Sequence, residues 1–255
     1  MERCGLLGGR LGHSYSPAIH AQLGDYEYRL YECPREKLGD FLKTGDFDGL
    51  NVTIPYKKAV IPYCAELSPM AAAIGSVNTL LRRPDGTLYG DNTDAFGFES
   101  LLRHASLDPK GKKCLVLGSG GASVTVQAVL RHLGAGSVTV ISRSGEDNYH
   151  NLARHQDAEL IVNATPVGMY PGNGLAAVDL TAFPSCQGVA DLIYNPARTA
   201  LLLQAERLGI PSAGGLWMLV AQAQRAAELF TGTDIPESVI PKITASLRRE
   251  MENVV

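Results

Sequence analysis

Residues 112–143, "KKCLVLGSGGASVTVQAVLRHLGAGSVTVISR", constrain this chain more than any other stretch. A short apolar run is followed by Gly118-Ser119-Gly120-Gly121-Ala122, an amphipathic segment and a second apolar run. Strand, glycine turn, helix and strand in that order form a βαβ unit of the kind that binds dinucleotides. The glycines let the backbone turn tightly and approach a pyrophosphate, whose charge meets the free N–H groups at the helix start. Ser123 stands where the full fingerprint has a third glycine. The second run ends in Ser142-Arg143-Ser144 instead of an acid, and an arginine with two hydroxyls suits a 2′-phosphate. NADP is therefore the expected cofactor, although Glu146 and Asp147 just beyond have the wrong sign for a phosphate clamp.

The same alternation of apolar runs and amphipathic stretches extends along the chain and predicts an α/β fold around mostly parallel sheets. With 255 residues, 45% of them hydrophobic, there is material for two modest cores. Strands are predicted at 4–8, 26–31, 50–54 and 77–83, with helices at 17–23, 34–42, 56–63 and 94–105. A polar, proline-bearing break at 107–113 precedes strands at 113–117, 137–141, 160–163 and 189–193 and a helix at 121–133. Two alanine- and leucine-rich helices, 216–230 and 236–251, lack a sheet of their own and must pack back on another unit. The expected division is a substrate-binding, catalytic domain of residues 1–94 plus 216–255, and a Rossmann-like domain of residues 95–215.

A net charge of -3 and basic runs no longer than two residues argue against nucleic acid or an anionic membrane as partner. No apolar run reaches the ~18 residues that span a bilayer, and the N-terminus lacks the pattern of a secretory signal. A soluble, cytoplasmic protein is expected. Cys4, Cys33, Cys64, Cys114 and Cys186 lie far apart, with no CxxC pair and no histidine at ligand spacing. They are read as free thiols with no metal site.

Ligands of open parallel sheets bind beyond the carboxyl ends of the strands, so the strand-exit loops carry the functional reading. "GHSYSP" places Ser14 and Ser16 ahead of a helix opened by Pro17, which makes a carboxylate cradle, with capping of the helix by Ser16 as the simpler role. "NVTIPYK" puts Asn51 and Thr53 on one face. Pro55 suits the first turn of the predicted 56–63 helix, whose positive end would disfavour the ammonium form of Lys57; Lys58 is assigned to solvent. In "GDNTD", Asp94 either caps the following helix or pairs with Lys57 as an acid–base couple where a hydroxyl binds.

Together "GHSYSP", "NVTIPYK", "SVNTL", "GDNTD", "GSGGAS", "NATPVGM", "DLIYNP" and "GGLWMLVAQA" resemble the shikimate dehydrogenase family, from about Leu7 to Gln224. The resemblance implies NADP-dependent interconversion of 3-dehydroshikimate and shikimate in aromatic amino-acid biosynthesis, with Lys57 and Asp94 catalytic. By the same resemblance Ser14 and Ser16 hold the substrate carboxylate, Asn51, Thr53, Asn78 and Gln222 bind its hydroxyls, and Tyr194 lies near the carboxylate. Gly118, Gly120, Gly121, Ala122, Ser142, Arg143 and Ser144 then take the adenosine and phosphates, and Gly215 and Met218 border the nicotinamide. The chain departs from the family in three ways. Asp147 stands near the place of a second basic residue, the segment between Arg143 and "NATPVGM" is trimmed to about one short helix near 151–156, and Tyr15 and Trp217 fill usually different positions. A quinate-preferring relative using NAD and a non-catalytic NADP-binding regulatory protein are the alternatives. The partner is a small molecule, and the chain is expected to be a monomer or a homodimer.

Overall fold

The computed structural model describes residues 2–12 and 14–252, so His13 of "GHSYSP" lies outside the described residues. The chain forms two compact units, one running to Phe96 and including Val220–Ile243, the other comprising Gly97–Leu219 and residues from Thr244 on.

The first unit holds a six-stranded sheet of β1 (Arg3–Gly8), β2 (Glu27–Glu32), β3 (Gly49–Val52), β4 (Cys64–Leu67), β5 (Thr79–Arg82) and β6 (Leu88–Asp91). Their order is β2-β1-β3-β5-β6-β4, and β5 alone is antiparallel to its neighbours. The carboxyl ends of β1, β3 and β6 and the start of β5 therefore share one sheet edge. Helices α1 (Ser16–His20), α2 (Leu38–Thr44) and α3 (Pro69–Ile74) connect the strands, and α4 (Thr93–His104) leaves β6. Leu7, Leu42, Phe47, Leu50, Tyr56 and Leu80 fill one core of this unit.

The predicted 56–63 helix is absent. Residues 54–60 form turns, followed by a single 3-10 turn at Ile61–Tyr63. The Lys57 carbonyl, which a helix would pair with residue 61, instead accepts from Val77 N at 2.8 Å. Pro62 has no N–H to give to the Lys58 carbonyl. Buried Tyr56 anchors the loop from within, its phenol donating to the Cys33 carbonyl.

The second unit holds a fully parallel sheet in the order β11-β10-β9-β7-β8. Its strands are β7 (Lys113–Leu117), β8 (Ser137–Ile141), β9 (Leu160–Asn163), β10 (Gly188–Asp191) and β11 (Ser212–Gly214). Helices α5 (Gly121–His132) and α6 (Ala200–Arg207) pack on it, and the chain ends in α7 (Leu216–Thr231) and α8 (Val239–Glu252). Between β8 and β9 the only helical element among the described residues is a 3-10 turn, Leu152–His155. Two asparagines staple this trimmed segment: Asn148 Nδ2 donates to Gly145 O, Asn151 Nδ2 donates to Glu146 O, and Asn151 Oδ1 accepts from Asn148 N. No helix among the described residues is long and apolar enough to cross a membrane.

Buried His20, on α1, stacks on Tyr28 with ring centroids 3.9 Å apart and meets the Tyr26 hydroxyl through Nδ1 at 2.5 Å. Burial pushes its pKa down to about 3, outweighing the opposing pull of the Asn51 side chain. The folded chain thus keeps His20 neutral at pH values where the unfolded chain protonates it. This burial costs nothing above about pH 6.5, and each pH unit lost between 6.5 and 3 removes about 1.4 kcal/mol of stability. The urea midpoint of the parent protein should fall more steeply from pH 7 to pH 5 than that of His20→Gln. Parallel curves would exclude His20 as the source.

Candidate active site

Three exit loops and the start of β5 bring the predicted polar residues of the first unit to one edge. Lys57, on the loop after β3, and Asp94, in the first turn of α4, meet with Nζ 2.5 Å from Oδ2. Their side chains are 32% and 21% exposed, open enough to touch a ligand and covered enough to hold one geometry. Lys58 is exposed, as expected. The helix-end argument for Lys57 falls with the missing helix, and the neighbour that acts on its amine is the Asp94 carboxylate. Asp94 does not cap α4: Ala95 N is paired with Asn92, through its Oδ1 and its backbone carbonyl, both at 3.3 Å. That leaves the Asp94 carboxylate for the lysine.

Asn51, Asn78 and Gln222 are tied together through two threonines. Asn51 Nδ2 donates to Thr79 Oγ1 at 3.3 Å, Thr79 Oγ1 donates to Asn78 Oδ1 at 3.0 Å, and Thr93 N donates to the same oxygen at 2.7 Å. Thr93 Oγ1 also lies 3.4 Å from Gln222 Oε1, on α7. Thr53, half-buried, follows directly at the end of β3. In the "GHSYSP" loop Ser14 Oγ accepts from Ser16 N at 3.2 Å, and the cap position of α1 is Tyr15, which makes no side-chain capping bond. The capping role expected of Ser16 is therefore absent. Sequence reasoning missed Tyr28, Thr79 and Thr93. The threonines sit beside motif residues and were legible, whereas nothing in "EYRLYE" separates Tyr28 from a packing aromatic.

In the second unit the glycine turn has two kinds of glycine. Gly118, at φ 101°, turns the chain off β7, and a Cβ there would lie 2.8 Å from Thr165 Cγ2 and 3.0 Å from Ala164 O. A Cβ on Gly120 or Gly121 would meet nothing within 4 Å, so the space before the α5 N-terminus is open, as a pyrophosphate requires. Ala122 is exposed on the first turn of α5. Ser123, in place of the third glycine, is wholly buried where that residue must be small. Ser142, Arg143 and Ser144 leave β8, with Arg143 and Ser144 exposed. Asp147 is turned away from them, its Oδ1 2.8 Å from His155 Nε2.

Buried Asp191 ends β10 and organises the neighbouring loops. It accepts from Asn163 Nδ2, Ile193 N and Thr199 Oγ1, and burial raises its pKa. Tyr194 lies three residues further on, half-buried, as is Met218 on α7, while Gly215 is buried. Trp217 packs: it stacks on His104 at 3.4 Å and its Nε1 donates to Ser100 Oγ at 2.9 Å. Among the described residues no group of His, Cys, Asp and Glu could hold a metal ion.

The shikimate dehydrogenase substrate binding domain matches residues 6–80, and the shikimate 5′-dehydrogenase C-terminal domain matches residues 215–240. The shikimate dehydrogenase (NADP(+)) of Clostridium perfringens strain SM101 is 34% identical over 97% of this chain and 99% of that protein. The chain belongs to the shikimate dehydrogenase family. It is an oxidoreductase. A chorismate mutase/shikimate 5-dehydrogenase fusion protein from Clostridium acetobutylicum superposes with a TM-score of 0.92, at 35% identity over 99% of both chains. The shikimate 5-dehydrogenase of Thermus thermophilus, solved in complex with NADP(H) and shikimate, superposes with a TM-score of 0.86. It is 33% identical over 96% of this chain and 99% of that one.

Proposed function

We propose that this chain catalyses the reversible, NADP-dependent reduction of 3-dehydroshikimate to shikimate, with Lys57 and Asp94 moving the proton. The observation that carries the reading is the 2.5 Å contact between two side chains delivered by separate loops to a strand-exit edge. Around it stand the amides of Asn51 and Asn78, suited to a polyhydroxylated ring. Ser14 and Ser16 bind the substrate carboxylate at the end of β1, Thr53 and Gln222 hold hydroxyls, and Tyr194 borders the carboxylate.

NADP, when bound, supplies the hydride chemistry. In the reductive direction Lys57, as the ammonium, gives a proton to the carbonyl oxygen carried by C3, which becomes the hydroxyl. In the oxidative direction its amine takes the proton back. The ammonium has three N–H donors, and the one directed at Asp94 leaves two for the substrate oxygen. The Asp94 carboxylate accepts from Nζ and fixes it beside the substrate oxygen. Gly118, Gly120, Gly121 and Ala122 would hold the pyrophosphate, Ser142, Arg143 and Ser144 the 2′-phosphate, and Gly215 and Met218 would flank the nicotinamide ring. The pairing of Asp147 with His155 supports the NADP preference, because it engages one of the two acids, Glu146 and Asp147, that follow the Ser142–Ser144 loop.

The test follows NADPH and NADH absorbance with 3-dehydroshikimate, then NADP and NAD reduction with shikimate and with quinate. Turnover with NADPH and 3-dehydroshikimate is expected. Tight NADPH binding without turnover on any of them would move the chain to the regulatory class. Arg143→Ala should raise KM for NADP roughly 10- to 100-fold, the value of a charge-assisted hydrogen bond, and leave KM for NAD nearly unchanged. Equal effects on both cofactors would remove Arg143 from the 2′-phosphate.

A further inference from the structure

We infer that Tyr28 is a positioning residue that sets the hydrogen-bonding sense of Asn51, so that this amide offers only N–H donors to a substrate hydroxyl. The inference rests on the proposed reading of the site, although its geometry does not.

Tyr28 sits on edge strand β2, and its phenol reaches across β1 to donate to Asn51 Oδ1 on β3 at 2.8 Å. An asparagine amide can turn over and exchange donor for acceptor, so its sense must come from its neighbours. Here the neighbours settle it from a fixed starting point. The Thr93 backbone N–H can only donate, so the atom of Asn78 facing it at 2.7 Å is the carbonyl oxygen. Thr79 Oγ1 lies 3.0 Å from that oxygen and 3.1 Å from Thr93 Oγ1; with its single proton given to the carbonyl oxygen, which can only accept, it receives from Asn51 Nδ2. The Asn51 carbonyl is left facing Tyr28, which donates. The bonds run one way from Tyr28 to Asn78, and both asparagines keep amide N–H groups for a ligand.

The phenol is itself held in place. Its ring lies flat on buried His20, 10° from parallel. Burial lifts its pKa well above the ordinary range, with Ser16 beside it acting weakly in the other direction, so it remains a donor wherever the enzyme works. Tyr28 thereby lies beside one candidate carboxylate residue, Ser16, and bonds a candidate hydroxyl residue, Asn51. Without the phenolic proton the Asn51 carbonyl is free to turn toward the ligand, where it would confront oxygen lone pairs.

Tyr28→Phe retains the stack on His20 and removes only the donor. KM for shikimate should rise about five- to tenfold, the value of one hydrogen bond, with KM for NADP unchanged. In an Asn51→Ala background the same substitution should add less than about twofold, because the two residues act as a unit. Additive losses, or an unchanged KM, would overturn the inference. Ligand-free protein gives a separate readout: the Asn51 side-chain 15N–1H resonances should shift in Tyr28→Phe while those of Asn78 hold still. Unmoved Asn51 resonances would overturn the inference whatever the substrate. Loss of shikimate turnover by the parent protein, with the resonance shift intact, would sink the functional reading alone. Should Tyr28→Phe not fold, 3-fluorotyrosine encoded at position 28 makes a more acidic donor of nearly the same shape. It should move the same resonances, and no movement would overturn the inference.

Discussion

Lys57→Ala is expected to lower kcat by roughly 10²-fold or more while leaving KM for shikimate within about threefold. The split follows from the geometry. On the proposed reading hydroxyl binding falls to Asn51, Thr53, Asn78 and Gln222, whereas Lys57 is the proton donor, held by a carboxylate 2.5 Å away. Removing it takes away a group needed while the proton moves and leaves the ring's other anchors in place. Stability should barely change, because a partly exposed ion pair contributes about 0–1 kcal/mol. The loop is held by main-chain and core contacts, with Val77 N on the Lys57 carbonyl and Tyr56 in the core, and alanine keeps both. Steady-state kinetics beside a melting curve checks both halves. An unchanged kcat removes Lys57 from the chemistry, and a kcat loss accompanied by a lowered Tm reassigns it to structure.

The parts of the molecule that were legible in advance share a physical cause. Strands β7 and β9 were readable to the residue because parallel strands covered on both faces are continuous apolar runs bounded by polar residues, and β8, a half-buried edge strand, was readable from its β-branched run. The meeting of Lys57 and Asp94 was readable because both follow strands whose carboxyl ends share one sheet edge. The 56–63 helix was misread because propensity and a proline at its start say nothing of a long-range partner. Val77 claims the carbonyl that the helix needed. Strand β4 escaped notice because it lies at a sheet edge with the pattern half-buried, exposed, exposed, half-buried, which carries no alternation. Helices α3 and α6 did have signals, Ser68 and Thr199 each accepting from a backbone N–H three residues on, with left-handed glycines at 75 and 209 beyond their ends. Tyr28 was illegible for a different reason: its role depends on a hydrogen bond across an intervening strand, which no local pattern encodes.

Gly215→Ala should destabilise the protein by ~3 kcal/mol or more, where Gly120→Ala should not, although both are candidate cofactor residues. A Cβ on Gly215 would lie 2.0 Å from the Leu192 carbonyl oxygen and 2.4 Å from its carbon. Both are main-chain atoms, so no side-chain rotation relieves the overlap. The neighbouring chain cannot retreat easily either, because Gly215 N donates to Ile193 O at 3.0 Å and β11 is paired with β10 immediately before it. At Gly120 the backbone, φ -75° and ψ -175°, is open to any residue, and the added methyl meets nothing within 4 Å. The Gly215 variant should therefore melt about 6–12 °C lower, on the scale of ~2–4 °C per kcal/mol for a chain of this size. The Gly120 variant should melt within ~2 °C of the parent while its KM for NADP rises ~10-fold, because its methyl enters the space that a pyrophosphate needs at the α5 N-terminus. A Gly215 variant with an unshifted Tm would mean that the crossing of residues 192–193 and 215 yields freely, and its glycine would then have to be explained by the nicotinamide alone.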